Sequence, residues 1–215
     1  MSSIDTHFDV IVIGSGQAGT PLAGDFAKAG RRTLMIERSH VGGCCINEGC
    51  TPTKTMIASG RVAFLNKRAA DYGVITDGPP GRRTSQSGKR VDMTKVRQRK
   101  RAIVESFRSG SERRLRDAGV PILEGSAQFK DAHTIHVTMG DGSTQDVSAG
   151  LIFVNTGTRP RKPDLEGLDT FLDNGEWPPK KPCQVLDSTT IQELDEVPEQ
   201  LLVLGGGYIL SLIHI

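Results

Sequence analysis

Aromatic side chains are scarce here, at 5% of the 215 residues with a single tryptophan. Long hydrophobic runs are missing too: no apolar stretch approaches the roughly 20 residues that a membrane helix needs. Charge of one sign is not in excess, since the net charge is +2, so charge balance points to no class of partner. The opening Met1–Asp9 has no basic region followed by an apolar one. No secretory signal is therefore read, and a reducing, cytoplasmic setting is the expectation. Cysteines number only four. In a reducing compartment a persistent disulfide is more often catalytic than structural. An apolar fraction of 36% with 24% charged residues allows a buried core and argues against global disorder.

What is present is concentrated. Three of the cysteines fall in Gly42–Lys54, which reads Gly-Gly-Cys-Cys-Ile-Asn-Glu-Gly-Cys-Thr-Pro-Thr-Lys. If the residues after Cys45 are helical, Cys45 and Cys50 lie little more than one turn apart. A bridge between them is then somewhat strained and reducible. A helix N-terminus would also favour a thiolate. Two plainer readings stay open on the residues alone: a pair of reduced core thiols, or half of a zinc site. The second half of a zinc site is not recognisable in Cys183 and the scattered histidines, and no resident metal is expected.

The context is a nucleotide-binding pattern. Phe8–Ile13 is a short β-branched run, as in a buried parallel strand. It leads into Gly14-Ser15-Gly16-Gln17-Ala18-Gly19. The first glycine allows a tight turn, the second a close backbone approach to a pyrophosphate, and the third close helix–strand packing. A helix over Gln17–Ala29 follows, with Pro21 in its first turn and Gly30 as its stop. Arg32–Glu37 reads as a second strand. Its terminal Glu37, about 20 residues past the glycines, can accept ribose hydroxyls, and Arg38 adjoins it.

Further on, Met56–Ala70 reads as a helix with Ile57, Val62, Phe64 and Leu65 as apolar positions. Thr76–Arg90 reads as an exposed, mobile loop. Val91–Ala118 reads as a long basic helix capped by Asp92 and stopped at Gly119. Acidic residues interrupt it and no aromatics interleave, so a solvated face is preferred to a nucleic-acid surface. Strands are expected over Val120–Phe129, Thr134–Thr138, Thr144–Val147 and Leu151–Val154, with a hairpin turn at Gly140-Asp-Gly142. His133 and His136 read as strand-surface residues. Arg159–Pro182 is a connector, Asp187–Thr190 opens a short helix, and Leu201–Leu204 reads as another buried strand running into Gly205-Gly-Gly-Tyr-Ile209.

On these residues the chain resembles the flavin-dependent pyridine nucleotide–disulfide oxidoreductases, the group of dihydrolipoamide dehydrogenase, glutathione reductase and mercuric reductase. Gly42–Lys54 matches the redox signature G-G-x-C-x-N-x-G-C-x-P-[ST]-K at every fixed position. Asn155-Thr156-Gly157 matches an A-T-G element, with Asn in place of Ala. Gly205–Ile209 matches the glycine opening of an NAD(P)H domain.

The resemblance implies an α/β fold: a Rossmann-like FAD-binding domain with a parallel sheet and a small antiparallel β element, truncated at the start of a second Rossmann-like domain. It implies FAD as cofactor and NAD(P)H as electron donor. It also implies a Cys45–Cys50 disulfide whose dithiol form reduces a disulfide, a metal ion or a related electrophile. Cys50 would face the flavin, Cys45 would exchange with substrate, and Lys54 would lie near the flavin ring. Cofactor contacts are expected from Gly14, Ser15, Gly16, Gln17, Ala18, Gly19, Glu37, Arg38, Gly43, Cys44, Gly49, Lys54, Ala127, Thr156 and Gly157. Cys44 adjoins Cys45, where it could compete for disulfide exchange or be simply a small buried residue; the latter is preferred.

The expected organisation is an FAD domain over 1–160, a connector over 161–200, and the start of an NAD(P)-binding domain over 201–209. Leu210–Ile215 departs from the family and matches one reading frame of a transposase mosaic-end adapter, so a non-native tail is expected over 210–215. A fragment of this extent is expected to be inactive alone. A small-molecule or metal-ion substrate and a full-length homodimer are implied, with no nucleic acid or membrane partner. The rival reading is a non-catalytic FAD-binding module or an unstable fragment.

Overall fold

The computed structural model describes residues 6–74 and 91–207. The Thr76–Arg90 stretch, Tyr208-Ile209 and the 210–215 tail lie outside the described residues. The chain divides into two compact units, Met1–Gly49 with Val104–Arg159, and Cys50–Ile103 with Pro160–Ile215.

The first unit is built on one six-stranded sheet. Its strands are β1 (His7–Ile13), β2 (Thr33–Glu37), β3 (Ile122–Glu124), β4 (Ser126–Phe129), β5 (Thr134–Thr138) and β6 (Thr144–Val154). The spatial order is β3-β2-β1-β6-β5-β4. The β3-β2-β1-β6 part is parallel, and β6-β5-β4 is antiparallel. The expected α/β class, with a parallel sheet and a small antiparallel element, is what is observed.

Burial on both faces explains why β1 and β2 are almost uninterrupted β-branched and aliphatic runs. Ile11, Ile13, Leu34 and Ile36 pack on one face with Leu123, Ile135, Val137 and Val147. Val10, Val12 and Met35 pack on the other with Ala23 of helix α1 (Gly19–Lys28), Leu115 and Val120. One face of the parallel part is thus covered by helices and the other by side chains of the antiparallel arm.

Two strand expectations change within this sheet. Thr144–Val147 and Leu151–Val154 are not separate strands but parts of one, β6. It pairs antiparallel with β5 through Ser148 and parallel with β1 from Ser148 onward, so a single strand serves both parts of the sheet. Conversely, the expected Val120–Phe129 strand breaks at Gly125 into β3 and β4, which belong to opposite edges.

The redox stretch also differs. Helix α2 (Gly43–Asn47) ends at Glu48, and α3 (Cys50–Lys67) begins afresh. No continuous helix therefore joins Cys45 to Cys50, as a simple turn count assumes. A Cβ at Gly49 would stand 3.0 Å from the Cys44 carbonyl, so the chain turns back tightly there.

The second unit contains α3 and the first part of α4 (Met93–Asp117). Its connector carries short 3₁₀ turns at Leu168–Phe171, Asp173–Gly175 and Thr190–Glu193. Asp92 caps α4 as expected, accepting the Lys95 N–H at 3.1 Å. The basic helix is not wholly a solvated face. Lys100 is only 4% exposed and donates to the Gln192 carbonyl at 3.0 Å and to the Glu193 carboxylate. Arg101 donates to the same carboxylate at 2.6 Å. A buried ammonium persists only with such partners.

The apolar positions expected on α3 are mostly outside the core: Val62, Phe64 and Leu65 are exposed. Their spacing does not form one helical stripe. Leu201–Leu204 is not a strand among the described residues. It is irregular and exposed, with Leu202 at 85%, since no described strand pairs with it and a buried parallel strand needs neighbours.

A Cβ at Gly125 would stand 2.6 Å from Val137 Cγ1 and 2.7 Å from the Thr138 carbonyl. Gly125→Val is therefore expected to lower unfolding stability by about 1–3 kcal/mol, as overpacking does. A urea midpoint equal to wild type would contradict this account of the β3–β4 corner.

Candidate dinucleotide and redox site

The carboxyl ends of β1, β2 and β6 converge, the position where open α/β sheets bind ligands. A cleft of about 420 Å³ opens there, within the range of small-molecule sites. Its lining includes Gly14, Ser15, Gly16, Gln17, Glu37, Arg38, Gly43, Cys44, Cys45, Ala127, Thr156 and Gly157. All of these were expected at the site. Ala18 and Gly19 lie just behind the lining, where α1 begins, and Gly49 lies outside it in the turn after α2. Cys50 opens α3 and Lys54 begins its second turn, both in the second unit. Cys44 is exposed, not the small buried residue anticipated.

The glycine turn is shaped by contact. Gly14 adopts φ +98°, and a Cβ there would meet the Asn155 carbonyl at 2.3 Å. Gly43, at φ +63°, would place a Cβ 2.6 Å from Gly16 Cα. The redox stretch thus lies directly against the phosphate turn, and neither position accommodates a side chain.

Ser15 is fully buried. Its hydroxyl donates to Glu37 Oε2 at 2.6 Å and accepts the Gly42 N–H at 3.1 Å. The Ser15 N–H donates to the same Glu37 oxygen at 3.0 Å, and the Ser39 N–H to Glu37 Oε1 at 3.0 Å. Partial burial pushes the Glu37 carboxyl up. The Ser15 hydroxyl and the N–H groups of Ser15, Ser39 and Arg38 outweigh that and hold it below the usual carboxylate value. Glu37 is therefore an oriented anion at the end of β2, fit to accept a ribose hydroxyl. The side-chain-free cradle at Gly14, Gly16 and Gly43, and the open N-terminus of α1, fit a pyrophosphate.

Asn47 organises the redox stretch. Its Nδ2 donates to the carbonyls of Gly43, Val41 and His40 at 3.0, 3.1 and 3.3 Å. Its Oδ1 accepts from Arg108 Nε at 3.0 Å and Nη2 at 2.9 Å. Asn47 and Arg108 were not anticipated as site residues, and neither was Asn155. Asn47 was legible as a fixed position of the signature. Arg108 was indistinguishable from its basic neighbours.

A family model described as pyridine nucleotide-disulphide oxidoreductase matches residues 8–209. The chain belongs to this family. Among curated relatives of the family, the mercuric reductase of Streptomyces lividans is 30% identical over 97% of this chain and 40% of its own length. Dihydrolipoyl dehydrogenase 2 of Haloarcula marismortui is 33% identical over 97% and 40%. Among solved structures, the Cu(II) complex of the HOCl-induced flavoprotein disulfide reductase RclA from Escherichia coli aligns with a TM-score of 0.70 at 29% identity. It covers 97% of this chain and 40% of that one. The chain thus spans about 40% of the length of these relatives. Among the described residues, no helix is long and apolar enough to cross a membrane.

Because the Glu37 carboxyl is held low, its contribution to stability is complete above the unfolded-state pKa. It is lost as pH falls through the folded-state pKa. The stability gap between wild type and Glu37→Gln should therefore be widest near neutrality and close in acid. Urea midpoints measured at pH 7 and pH 3 check this, and an equal gap at both would contradict it.

Proposed function

We propose that this chain forms the FAD-binding and redox-cysteine part of an NAD(P)H-dependent oxidoreductase that reduces a disulfide or a soft metal ion. The observation that carries the reading is one cleft lined together by the glycine turn, Glu37, Cys44 and Cys45. When bound, FAD supplies the passage of electrons between a nicotinamide and a thiol pair. The protein's part is to bind, orient and exchange. Gly14, Gly16 and the start of α1 hold the pyrophosphate, Glu37 holds the ribose, and Thr156 and Gly157 close over the nucleotide from the end of β6. Ala127, Arg38 and Lys54 complete the contacts by resemblance to the family.

Cys45 is the exchanging thiol. As thiolate it attacks a substrate disulfide and forms a mixed disulfide, expelling the first substrate thiol. Cys50 then displaces the second substrate thiol and leaves a Cys45–Cys50 bond. A soft metal ion suits the same thiolates. The names of the relatives, a mercuric reductase and a disulfide reductase solved with Cu(II), support both substrate classes. The full-length protein works, in this reading, as a homodimer.

An absorbance spectrum of the purified chain tests the proposal. A flavin band bleached by dithionite is expected, with a long-wavelength shoulder after limited thiol reduction that Cys50→Ser lacks. Cys45→Ser should keep the flavin band. A chain that neither purifies with FAD nor takes it up would overturn the reading.

A further inference from the structure

Asn155 stands at the end of β6, 141 residues from the glycine turn it touches. Its backbone N–H donates to the Ile13 carbonyl at 2.8 Å, and its side-chain Nδ2 donates to the Gly14 carbonyl at 3.0 Å. A main-chain carbonyl can only accept, so the amide nitrogen and not its oxygen must face Gly14. The same nitrogen is 3.2 Å from where a Gly16 Cβ would stand and 2.7 Å from where a Gly19 Cβ would stand. One amide nitrogen thus occupies the space that all three glycines border, and Asn155 lines the cleft.

We propose that Asn155 is a pyrophosphate-binding residue, its amide tying down the Gly14 carbonyl with one N–H and offering the other to the phosphates of a dinucleotide. This rests on the dinucleotide reading above. An amide NH₂ carries two donors and Gly14 takes one. Gly16 is the point of closest backbone approach to a pyrophosphate in this motif, so the second donor borders the phosphate position. Fixing the Gly14 carbonyl also keeps its negative end from swinging toward the anion. A neutral donor serves both tasks. A carboxylate of the same shape serves neither, since it cannot donate to Gly14 and repels phosphate.

The test uses ADP and adenosine as probes, titrated calorimetrically into the flavin-free chain as wild type, Asn155→Ala and Asn155→Asp. ADP carries the pyrophosphate and adenosine does not. Loss of one hydrogen bond should weaken ADP about fivefold in Asn155→Ala, and the misplaced charge should weaken it about fiftyfold in Asn155→Asp. Adenosine affinity should stay within about twofold of wild type in both, the margin of a change that leaves its contacts intact. ADP binding to Asn155→Asp at wild-type strength would overturn the proposal. So would equal weakening of ADP and adenosine, which marks Asn155 as a fold residue only. Thermal melts identify a variant that has unfolded, and Asn155→Ala, the smaller change, then decides alone. Wild-type protein that binds neither probe overturns the dinucleotide reading itself, which is distinguishable from a loss confined to the variants.

Discussion

One buried hydroxyl holds the candidate site together. Ser15 is the residue inside the glycine turn, and its side chain is sealed from solvent. It bonds Glu37 at the end of β2 and Gly42 at the start of the redox stretch, while its carbonyl accepts the Thr20 hydroxyl of α1 at 2.7 Å. Three segments that would otherwise be independent loops therefore share one fixed point. Hydrogen bonds to a charged group contribute about 1.5–3 kcal/mol each, more than neutral ones. The cost of leaving Glu37 half-buried without them makes the arrangement close to all-or-none. Shape and charge at the cleft follow from it: the turn is fixed, the carboxylate is ionised, and the thiol-bearing helix α2 begins one residue after the Gly42 N–H that Ser15 holds.

The remaining constraints act on the same segments from other directions. Asn47 gathers three carbonyls of the redox stretch and is itself held by the Arg108 guanidinium. The position of Cys45 is thereby tied to a helix rather than left to a loop. Glu48 and Arg159 approach to 3.8 Å at the cleft margin, but both are well exposed, and such a pair contributes little. Precision at the thiol thus comes from buried, multiply bonded groups and from glycines that permit contact, not from surface ion pairs.

How much of this was legible in the sequence depended on range. The strand, glycine turn, helix, strand and terminal acid were readable because each is a local pattern with a local physical cause. The cysteine stretch was readable because its spacing and fixed residues are contiguous. What escaped was set by distant partners. Lys100 looked like one charge in a basic run, and Gln192 and Glu193, 92 and 93 positions away, explain its burial. Arg108 acquires a role only through Asn47, 61 positions away. Alternation located the strands, but it could not say that Thr144–Val154 continues through Gly150 or that Gly125 divides a run between two sheet edges. Leu201–Leu204 shows the converse: an apolar run predicts a buried strand only if a neighbour exists to pair with it.

The proposed function requires the glycine turn, the Glu37 end of β2 and the Asn155–Gly157 segment to form one site for a flavin dinucleotide. Amide hydrogen exchange of this chain, with and without added FAD, tests it most directly. Slowed exchange is expected together at 14–19, 37–43 and 155–157, with the Lys130–Thr134 turn at the far end of the β4–β5 pair unchanged. Exchange unaltered at all three segments, or slowed only elsewhere, would contradict it.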